Sequence, residues 1–259
     1  MSNALPSVAV SSFAPTRSLL LIGHSHVQAI ISGNASQAQP ELELEVLQAR
    51  DPQYAPWANW EAGALVVNPA LVASISATIA RIRPDAIAVT IDGSQHFVLG
   101  AVSNPRKFDF ILPNREDLPL EPGAEIIPYD LMRRVFMHEQ RNVLKLLSEI
   151  RAAASVPVYY LSLPPAIATF VEAHMPETWP KMQELGSPGA AMRLKLWVLY
   201  MDVVRELCGE MGVTFLFPPA ETKDSDGFLL ETFDEDGLHG NAQYGAAVLR
   251  QLASAIGAV

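Results

Sequence analysis

Two short stretches near opposite ends of the chain carry side chains that could act together in catalysis. In "LLLIGHSHV", Ser25 stands between His24 and His26, directly after an apolar run that ends at a glycine. In "FDEDGLHGNAQYG", Asp236 precedes His239 by three residues. A carboxylate at that spacing can reach an imidazole across one turn, fix its tautomer and stabilise the imidazolium that forms when the ring takes a proton. A nucleophilic serine, a metal site and a plain turn each remain compatible with the first stretch.

Elements that could bring these stretches together follow from five apolar runs of strand length. The runs are Leu19–Gly23, Leu42–Leu47, Ala86–Ile91, Val156–Leu161 and Val213–Phe217. Helical patterns separate them, and this alternation predicts a parallel sheet covered by helices on both faces. Ligands bind at the carboxyl edge of such sheets. Ser25 follows the first run and is therefore expected at that edge.

The sequence also predicts the boundaries of one helix and the positions of two loop insertions. Asn68 and Pro69 have the residue types of a helix start, and Arg83 before Pro84 is typical of a helix end. Two proline-rich stretches, 101–128 and 164–189, interrupt the alternation and are predicted to be loop insertions. We expect residues 1–16 to be an N-terminal extension and residues 17–259 to form one domain.

Composition narrows the class of protein. The chain has 259 residues, 49% of them hydrophobic, which is typical of a globular domain with a substantial core. Its 28 acidic and 18 basic residues give a formal charge of −10, which disfavours nucleic-acid binding. No apolar run approaches membrane-spanning length, and the N-terminus does not have the pattern of a signal peptide. With one cysteine, Cys208, and therefore no intrachain disulfide, a cytoplasmic protein is expected.

The two stretches together resemble the first and last sequence blocks of the SGNH (GDSL-type) hydrolases. The resemblance extends over roughly residues 19–258. It implies an α/β fold of three layers, α/β/α, with a flavodoxin-like parallel sheet of five strands. It also implies that Ser25 is the nucleophile, that His239 is the general base and that Asp236 orients it. No cofactor and no metal are implied.

The sequence departs from the family pattern at the residues that would stabilise an oxyanion. The usual Gly-Asp-Ser is Gly-His-Ser here, and the Gly-x-Asn expected after the third strand is replaced by "TIDGSQHF". Depending on the alignment, Ser94 or Gln95 takes the place of the asparagine, and either side chain can donate a hydrogen bond. The second-block glycine is matched by Gly63 in "WEAGAL". The expected oxyanion hole is therefore the amides of Ser25 and Gly63 with Ser94 or Gln95.

Three further residues are candidates for the pocket. His26 could set the nucleophile loop, His96 could line the site, and Trp60 could form an apolar wall, although tryptophans more often pack in a core. The substrate expected from the resemblance is a small-molecule or carbohydrate ester with a short-chain or acetyl group. A catalytically retired ligand-binding protein is the alternative. A metal-dependent phosphoesterase is a third, more distant reading, because "GHSH" resembles a His-x-His segment but no zinc-type spacing accompanies it.

Overall fold

The computed structural model describes residues 16–91, 95–101, 103–169 and 186–257. Its centre is a sheet of five parallel strands. These strands are β1 (Arg17–Gly23), β2 (Leu42–Gln48), β5 (Ala86–Thr90), β8 (Val158–Leu161) and β9 (Thr214–Leu216). Each agrees within two residues with a predicted run. The predicted N-terminal extension lies outside the described residues, except for residue 16.

The strand order, β2-β1-β5-β8-β9, is that of a flavodoxin-like sheet. The order reverses between β1 and β5, and the crevice at the carboxyl ends of these two strands is the usual place for a ligand. Side chains of β1 alternate between two cores: Leu20 and Ile22 face the larger one, whereas Leu19 and Leu21 face the smaller one. The sheet is therefore buried on both faces, as its continuous apolar strands predict.

Helices cover both faces and complete the three layers. On the smaller core lie α1 (Val27–Ser36) and α7 (Ala242–Ala255). The larger core is covered by α2 (Pro69–Ile82), α4 (Tyr129–Val143), α5 (Lys145–Ala153) and α6 (Ala190–Glu210). The short helix α3 (Gln95–Ala101) packs against α6. The predicted α/β/α sandwich is confirmed. Of the described helices, none combines the length and apolarity needed to cross a membrane.

The boundaries of α2 follow the predicted signals. The side chain of Asn68 accepts a hydrogen bond from the Ala70 amide at 2.9 Å, and Pro69 occupies the first helical position. Arg83 has a positive φ of 49° and ends the helix before Pro84. This placement fixes the helix that covers β1 and β5.

An unpredicted hairpin stands between β2 and α2. It pairs β3 (Ala58–Glu61) with β4 (Ala64–Val67) in antiparallel register. The two turn residues, Ala62 and Gly63, have positive φ values of 49° and 82°, as a type I′ turn requires. Only the base of this hairpin is buried, at Val67.

The insertion at 101–128 is held against the domain by a buried ion pair. It contains a two-residue parallel pair, β6 (Phe108–Asp109) and β7 (Glu125–Ile126). Lys195 of α6 places its Nζ 3.0 Å from both carboxylate oxygens of Asp109. Both side chains are almost fully buried. Most of the second predicted insertion, residues 170–185, lies outside the described residues.

Two glycines bring α1 and α7 into backbone contact. A Cβ on Gly245 would collide with the carbonyl oxygen of Ala29, and a Cβ on Gly33 would collide with the amide nitrogen of Ala246. Ser25 lies just before α1, and His239 lies just before α7. The close crossing therefore fixes the distance between the loops that carry these two side chains.

The Gly245→Ala variant should lose about 1–3 kcal/mol of unfolding free energy, because the added methyl group overpacks this contact. Gly209→Ala is the matched control, since a Cβ at Gly209 of α6 meets no heavy atom within 4 Å. Alanine in a helix should leave stability unchanged or raise it slightly. Urea unfolding followed by circular dichroism measures both variants. Wild-type stability in Gly245→Ala would contradict the backbone contact.

Candidate active site

Ser25 is positioned by the tight turn between β1 and α1. The last residue of β1, Gly23, must be a glycine because a Cβ there would collide with the carbonyl oxygen of Thr90 on β5. The next amide, that of His24, donates to the same carbonyl at 3.1 Å. The carbonyl of Ser25 then accepts the Gln28 amide at 3.0 Å in the first turn of α1. Ser25 is left half-buried at the carboxyl edge of the sheet.

His239 and Asp236 are held in a turn that precedes α7. The Oδ1 of Asp236 accepts the backbone amides of Leu238 at 3.0 Å and of His239 at 2.7 Å. At the end of the turn, Asn241 caps α7 by accepting the amide of Gln243 at 2.9 Å. The backbone amides of Leu238 and His239 thus hold the carboxylate in place beside the His239 ring.

The two stretches meet. Asp236 Oδ2 lies 2.8 Å from His239 Nδ1, and His239 Nε2 lies 2.9 Å from Ser25 Oγ. An ionised Asp236 accepts only, so Nδ1 carries the proton and Nε2 is free to accept from the serine hydroxyl. This arrangement can withdraw the Ser25 proton and stabilise the charge that then forms on the ring. The catalytic roles of the three residues stay predictions.

The carboxyl of Asp236 is strongly acidic. Partial burial alone would raise its pKa, but hydrogen bonds from the ring and backbone of His239 outweigh this and lower the pKa to about 2. Its carboxylate therefore keeps its charge throughout the mildly acidic range. The folded-state pKa lies below the usual value of about 3.9, so the ionised carboxylate stabilises the folded state above about pH 3.9. This contribution to the unfolding free energy is lost as the pH falls towards 2.

Two buried histidines lie beside the candidate triad. The ring of His26 packs on that of His239, with centroids 4.7 Å apart, and burial, followed by repulsion from the charged forms of His239 and His96, holds its pKa well below 6.5. His96 stacks on Tyr200, with centroids 4.6 Å apart. Burial lowers the pKa of His96 to about 3. Both rings are therefore neutral at physiological pH, and their predicted roles in the site stay predictions.

The predicted oxyanion donors are only partly placed. The amide of Ser25 begins the turn into α1, whereas Gly63 lies in the exposed turn of the β3–β4 hairpin, with open space around it. Ser94 lies outside the described residues, and Gln95 is the first residue of α3. Their participation stays a prediction.

Trp60 is not a core residue: 62% of its surface is exposed on the hairpin. Its neighbour Trp57 is the tryptophan that packs beside the site, with its ring centroid 4.7 Å from that of His24. This contact joins the base of the hairpin to the residue before Ser25. The alternation of exposed and buried positions in a short hairpin left no strong signal in the sequence.

Two openings adjoin the loop that carries His239. A polar cleft of about 630 Å³ is lined by Ser25, Gln28, Ser32, Glu235, Asp236 and Asn241. An apolar pocket of about 370 Å³ is lined by His96, Phe97, Pro164, Ile167, Arg193 and Leu238. Residues of one loop, 235–242, line both openings.

Arg193, which the sequence analysis did not single out, forms part of the apolar pocket. Its guanidinium donates to the carbonyl oxygens of Pro188 at 2.6 Å, Ala168 at 2.9 Å and Ile167 at 3.2 Å. Burial lowers its pKa to about 10, so the side chain remains charged at neutral pH. A lone arginine in an apolar helical pattern was the only available signal. It ties the segment after β8 to α6.

Within the described ranges, no group of three or more histidine, cysteine, aspartate or glutamate side chains is arranged to hold a metal ion. The nearest such set in sequence, "GHSH", is divided: His24 packs on Trp57, whereas His26 packs on His239.

Comparison with solved structures gives distant matches. No family model and no curated protein matches the chain. The chain is similar to a GDSL-like lipase from Bacteroides thetaiotaomicron, with 10% identity, a TM-score of 0.44 and coverage of 93% of this chain and 88% of that one. It is also similar to an acetylxylan esterase from Geobacillus stearothermophilus, with 11% identity, a TM-score of 0.40 and coverage of 94% of this chain and 95% of that one.

A third match is equally distant. It is the N-terminal part of a Bacteroides fragilis protein that contains a phosphatase domain complexed with Mg, with 11% identity and a TM-score of 0.40. The match covers 94% of this chain and 53% of that one. Because one fold can carry many unrelated activities, the activity of this chain depends on the residues of its own site.

The Asp236 carboxyl should titrate near pH 2, as measured by carbon NMR of the labelled side chain. His239→Ala removes the side-chain hydrogen bond and should raise the midpoint. Glu235→Gln removes a neighbouring carboxyl that takes no part in this bond, and it should leave the midpoint in place. A wild-type midpoint near the ordinary value of about 3.9 would show that the Asp236–His239 bond is not made in solution.

Proposed function

We propose that this chain is a serine hydrolase that cleaves acyl esters, and that residues 17–259 form the hydrolase domain. The observation that carries the proposal is the continuous hydrogen-bonded series from Asp236 through His239 to Ser25. These three side chains come from loops 214 residues apart in sequence. An aspartate, a histidine and a serine in this order are the parts that nucleophilic acyl transfer requires.

In the first half of the reaction, Ser25 Oγ attacks the ester carbonyl carbon while His239 Nε2 takes the hydroxyl proton. The ring becomes an imidazolium, and the negative charge of Asp236 stabilises it. His239 then gives the proton to the departing alkoxide oxygen, so that an alcohol leaves and an acyl group remains on Ser25.

In the second half, His239 takes a proton from a water molecule, whose oxygen attacks the acyl carbon. The bond from this carbon to Ser25 Oγ then breaks, His239 returns the proton to Oγ, and the acid leaves. The negative oxygen that forms in each half needs hydrogen-bond donors. The proposed donors are the backbone amides of Ser25 and Gly63 with the side chain of Ser94 or Gln95. One such donor contributes about a hundred- to thousandfold to the rate.

The two openings favour an ester with unlike halves. The apolar pocket, with Phe97, Ile167 and Leu238 in its lining, suits a short acyl group, such as acetyl. The polar cleft beside Ser25, with Gln28 and Glu235, suits a hydroxylated alcohol, such as a small polyol or a carbohydrate. Small-molecule and carbohydrate esters with a short acyl group are therefore the proposed substrates.

A specific observation favours one other function. The segment "DGSQH" stands where the resemblance would place the oxyanion asparagine. Loss of that donor without replacement would leave the same pocket as a ligand-binding site on an inherited scaffold. The labelling experiment below distinguishes the two functions.

A fluorophosphonate should form a covalent bond with Ser25 and with no other serine, because Ser25 is the one serine of the described residues that is hydrogen-bonded to His239. Mass spectrometry of the digested protein locates the adduct. Ser25→Ala and His239→Ala should each reduce hydrolysis of p-nitrophenyl acetate by on the order of 10⁴-fold or more. The same hydrolysis should persist in EDTA, and this result would exclude a metal-dependent esterase. Turnover that survives Ser25→Ala would overturn the assignment, and a wild type without labelling or turnover would favour the binding protein.

Alanine variants of Ser94 and Gln95 identify the third oxyanion donor. The variant that removes the donor should lower kcat by about 10²- to 10³-fold with little change in KM, because the contact strengthens in the transition state. The other variant serves as the control for local damage to the loop. Unchanged kcat in both variants would mean that only backbone amides stabilise the oxyanion.

A further inference from the structure

The polar cleft beside Ser25 has an uneven distribution of charge. Its lining contains the carboxylates of Glu235 and Asp236, and no lysine or arginine is among the described residues that line it. Asp236 is hydrogen-bonded to the ring of His239, as the proposed mechanism requires. The carboxylate of Glu235 has no comparable task, because no hydrogen bond or ion pair ties its side chain to another residue within the described ranges.

The backbone of Glu235 is held by the same turn that presents His239. The Glu235 amide donates to the carbonyl oxygen of His239 at 2.9 Å, and Asp234 and Gly240 form an antiparallel bridge beside it. The Nδ2 of Asn241 donates to the Asp234 carbonyl at 3.1 Å. Backbone hydrogen bonds therefore anchor Glu235 at the cleft, and its side chain is exposed to a ligand that enters there.

Another wall of the cleft belongs to α1 and carries no charge. Gln28 and Ser32 line the cleft and, being four residues apart, lie on the same face of this helix. The side-chain amide nitrogen of Gln28 donates to Ser32 Oγ at 3.4 Å. The carbonyl oxygen of the Gln28 side chain can accept a hydrogen bond from a ligand. An alcohol bound in the cleft would thus meet neutral groups on α1 and a carboxylate at Glu235.

A carboxylate beside a bound alcohol discriminates between alcohols by their charge. Opposite charges a few ångströms apart attract each other, and they do so more strongly at a protein surface than in bulk water. An alcohol with an ammonium group is therefore favoured, and one with a phosphate or carboxylate group is repelled. The formal charge of −10 on the whole chain acts in the same direction at longer range.

We propose that Glu235 selects esters whose alcohol part carries a positive charge, by placing its carboxylate beside that part in the polar cleft. Glu235 is then a specificity-determining residue and takes no part in the proton transfers, which His239 carries out in the proposed mechanism. This inference rests on the proposed hydrolase function and deepens it. Among esters of hydroxylated alcohols, those with an amino or quaternary ammonium group are the preferred substrates.

Two acetate esters of nearly equal shape measure this selection. Acetylcholine carries a positive charge on its alcohol part, whereas 3,3-dimethylbutyl acetate has a carbon atom in place of the charged nitrogen. In the wild type, kcat/KM should be about 3- to 10-fold higher for acetylcholine, and added salt should lower this ratio. Glu235→Gln should remove most of the preference. The ratio cancels a change in folding or in His239, because the same groups cleave both esters.

Glu43→Gln is the matched control. Glu43 is an exposed carboxylate on β2 that pairs with Ser18 near the amino end of β1, whereas Ser25 follows the carboxyl end of that strand. The variant makes the same chemical change at the opposite edge of the sheet and should keep the wild-type ratio. A wild-type ratio near one, or the same ratio in Glu235→Gln as in the wild type, would overturn the proposal.

Binding without turnover separates this inference from the hydrolase proposal. If the wild type cleaves neither ester, the hydrolase proposal fails, and choline and its neutral counterpart 3,3-dimethyl-1-butanol then test the selection by charge. Choline should shift the amide NMR resonances of Gln28 and Glu235 at lower concentration than the neutral alcohol, and Glu235→Gln should remove this difference. Equal shifts by both alcohols in the wild type would overturn the role of Glu235.

Discussion

The absence of a side chain at Gly33 and Gly245 allows α1 and α7 to touch along their backbones, and the candidate site depends on this contact. Each helix begins just after one of the loops that hold Ser25 and His239. A larger residue at either glycine would push the helices apart by roughly the thickness of a methyl group. A hydrogen bond of 2.9 Å between Nε2 and Oγ tolerates far less displacement than that. The packing of α1 on α7 therefore also sets the distance between Ser25 and His239.

The charge distribution around His239 is asymmetric. On one side stands a carboxylate with a pKa of about 2, and on another a buried imidazole, that of His26, whose pKa lies well below 6.5. In the proposed mechanism Asp236 stabilises a proton that His239 takes up, while the neutral His26 adds no repulsion. The same burial that keeps His26 neutral creates the need to satisfy its Nδ1.

The sheet could be predicted because parallel strands buried on both faces must be apolar throughout, as β1 and β5 are. The Asp-x-x-His spacing could likewise be predicted to join Asp236 to His239, since the contact is local. Contacts between distant segments left no comparable signal. The Lys195–Asp109 pair joins residues 86 apart, and no local spacing in the sequence relates the two charges.

The β3–β4 hairpin also could not be predicted from the sequence. Its turn consists of Ala62 and Gly63, both with positive φ. The family resemblance assigns Gly63 to the oxyanion hole and does not predict this turn. Trp60 is 62% exposed and so is not part of the core, and its predicted place in the pocket stays a prediction. Short hairpins with one exposed face carry too few apolar positions for periodicity to place them.

The most direct test of the central claim is the crystal structure of the protein after reaction with a fluorophosphonate. The expected structure has phosphorus bonded to Ser25 Oγ, His239 Nε2 within hydrogen-bond distance of an oxygen on that phosphorus or of Oγ, and the Asp236–His239 bond retained. Phosphorus on another side chain would contradict the claim that the α1–α7 crossing assembles a reactive serine. So would an adduct in which His239 had turned away from Ser25.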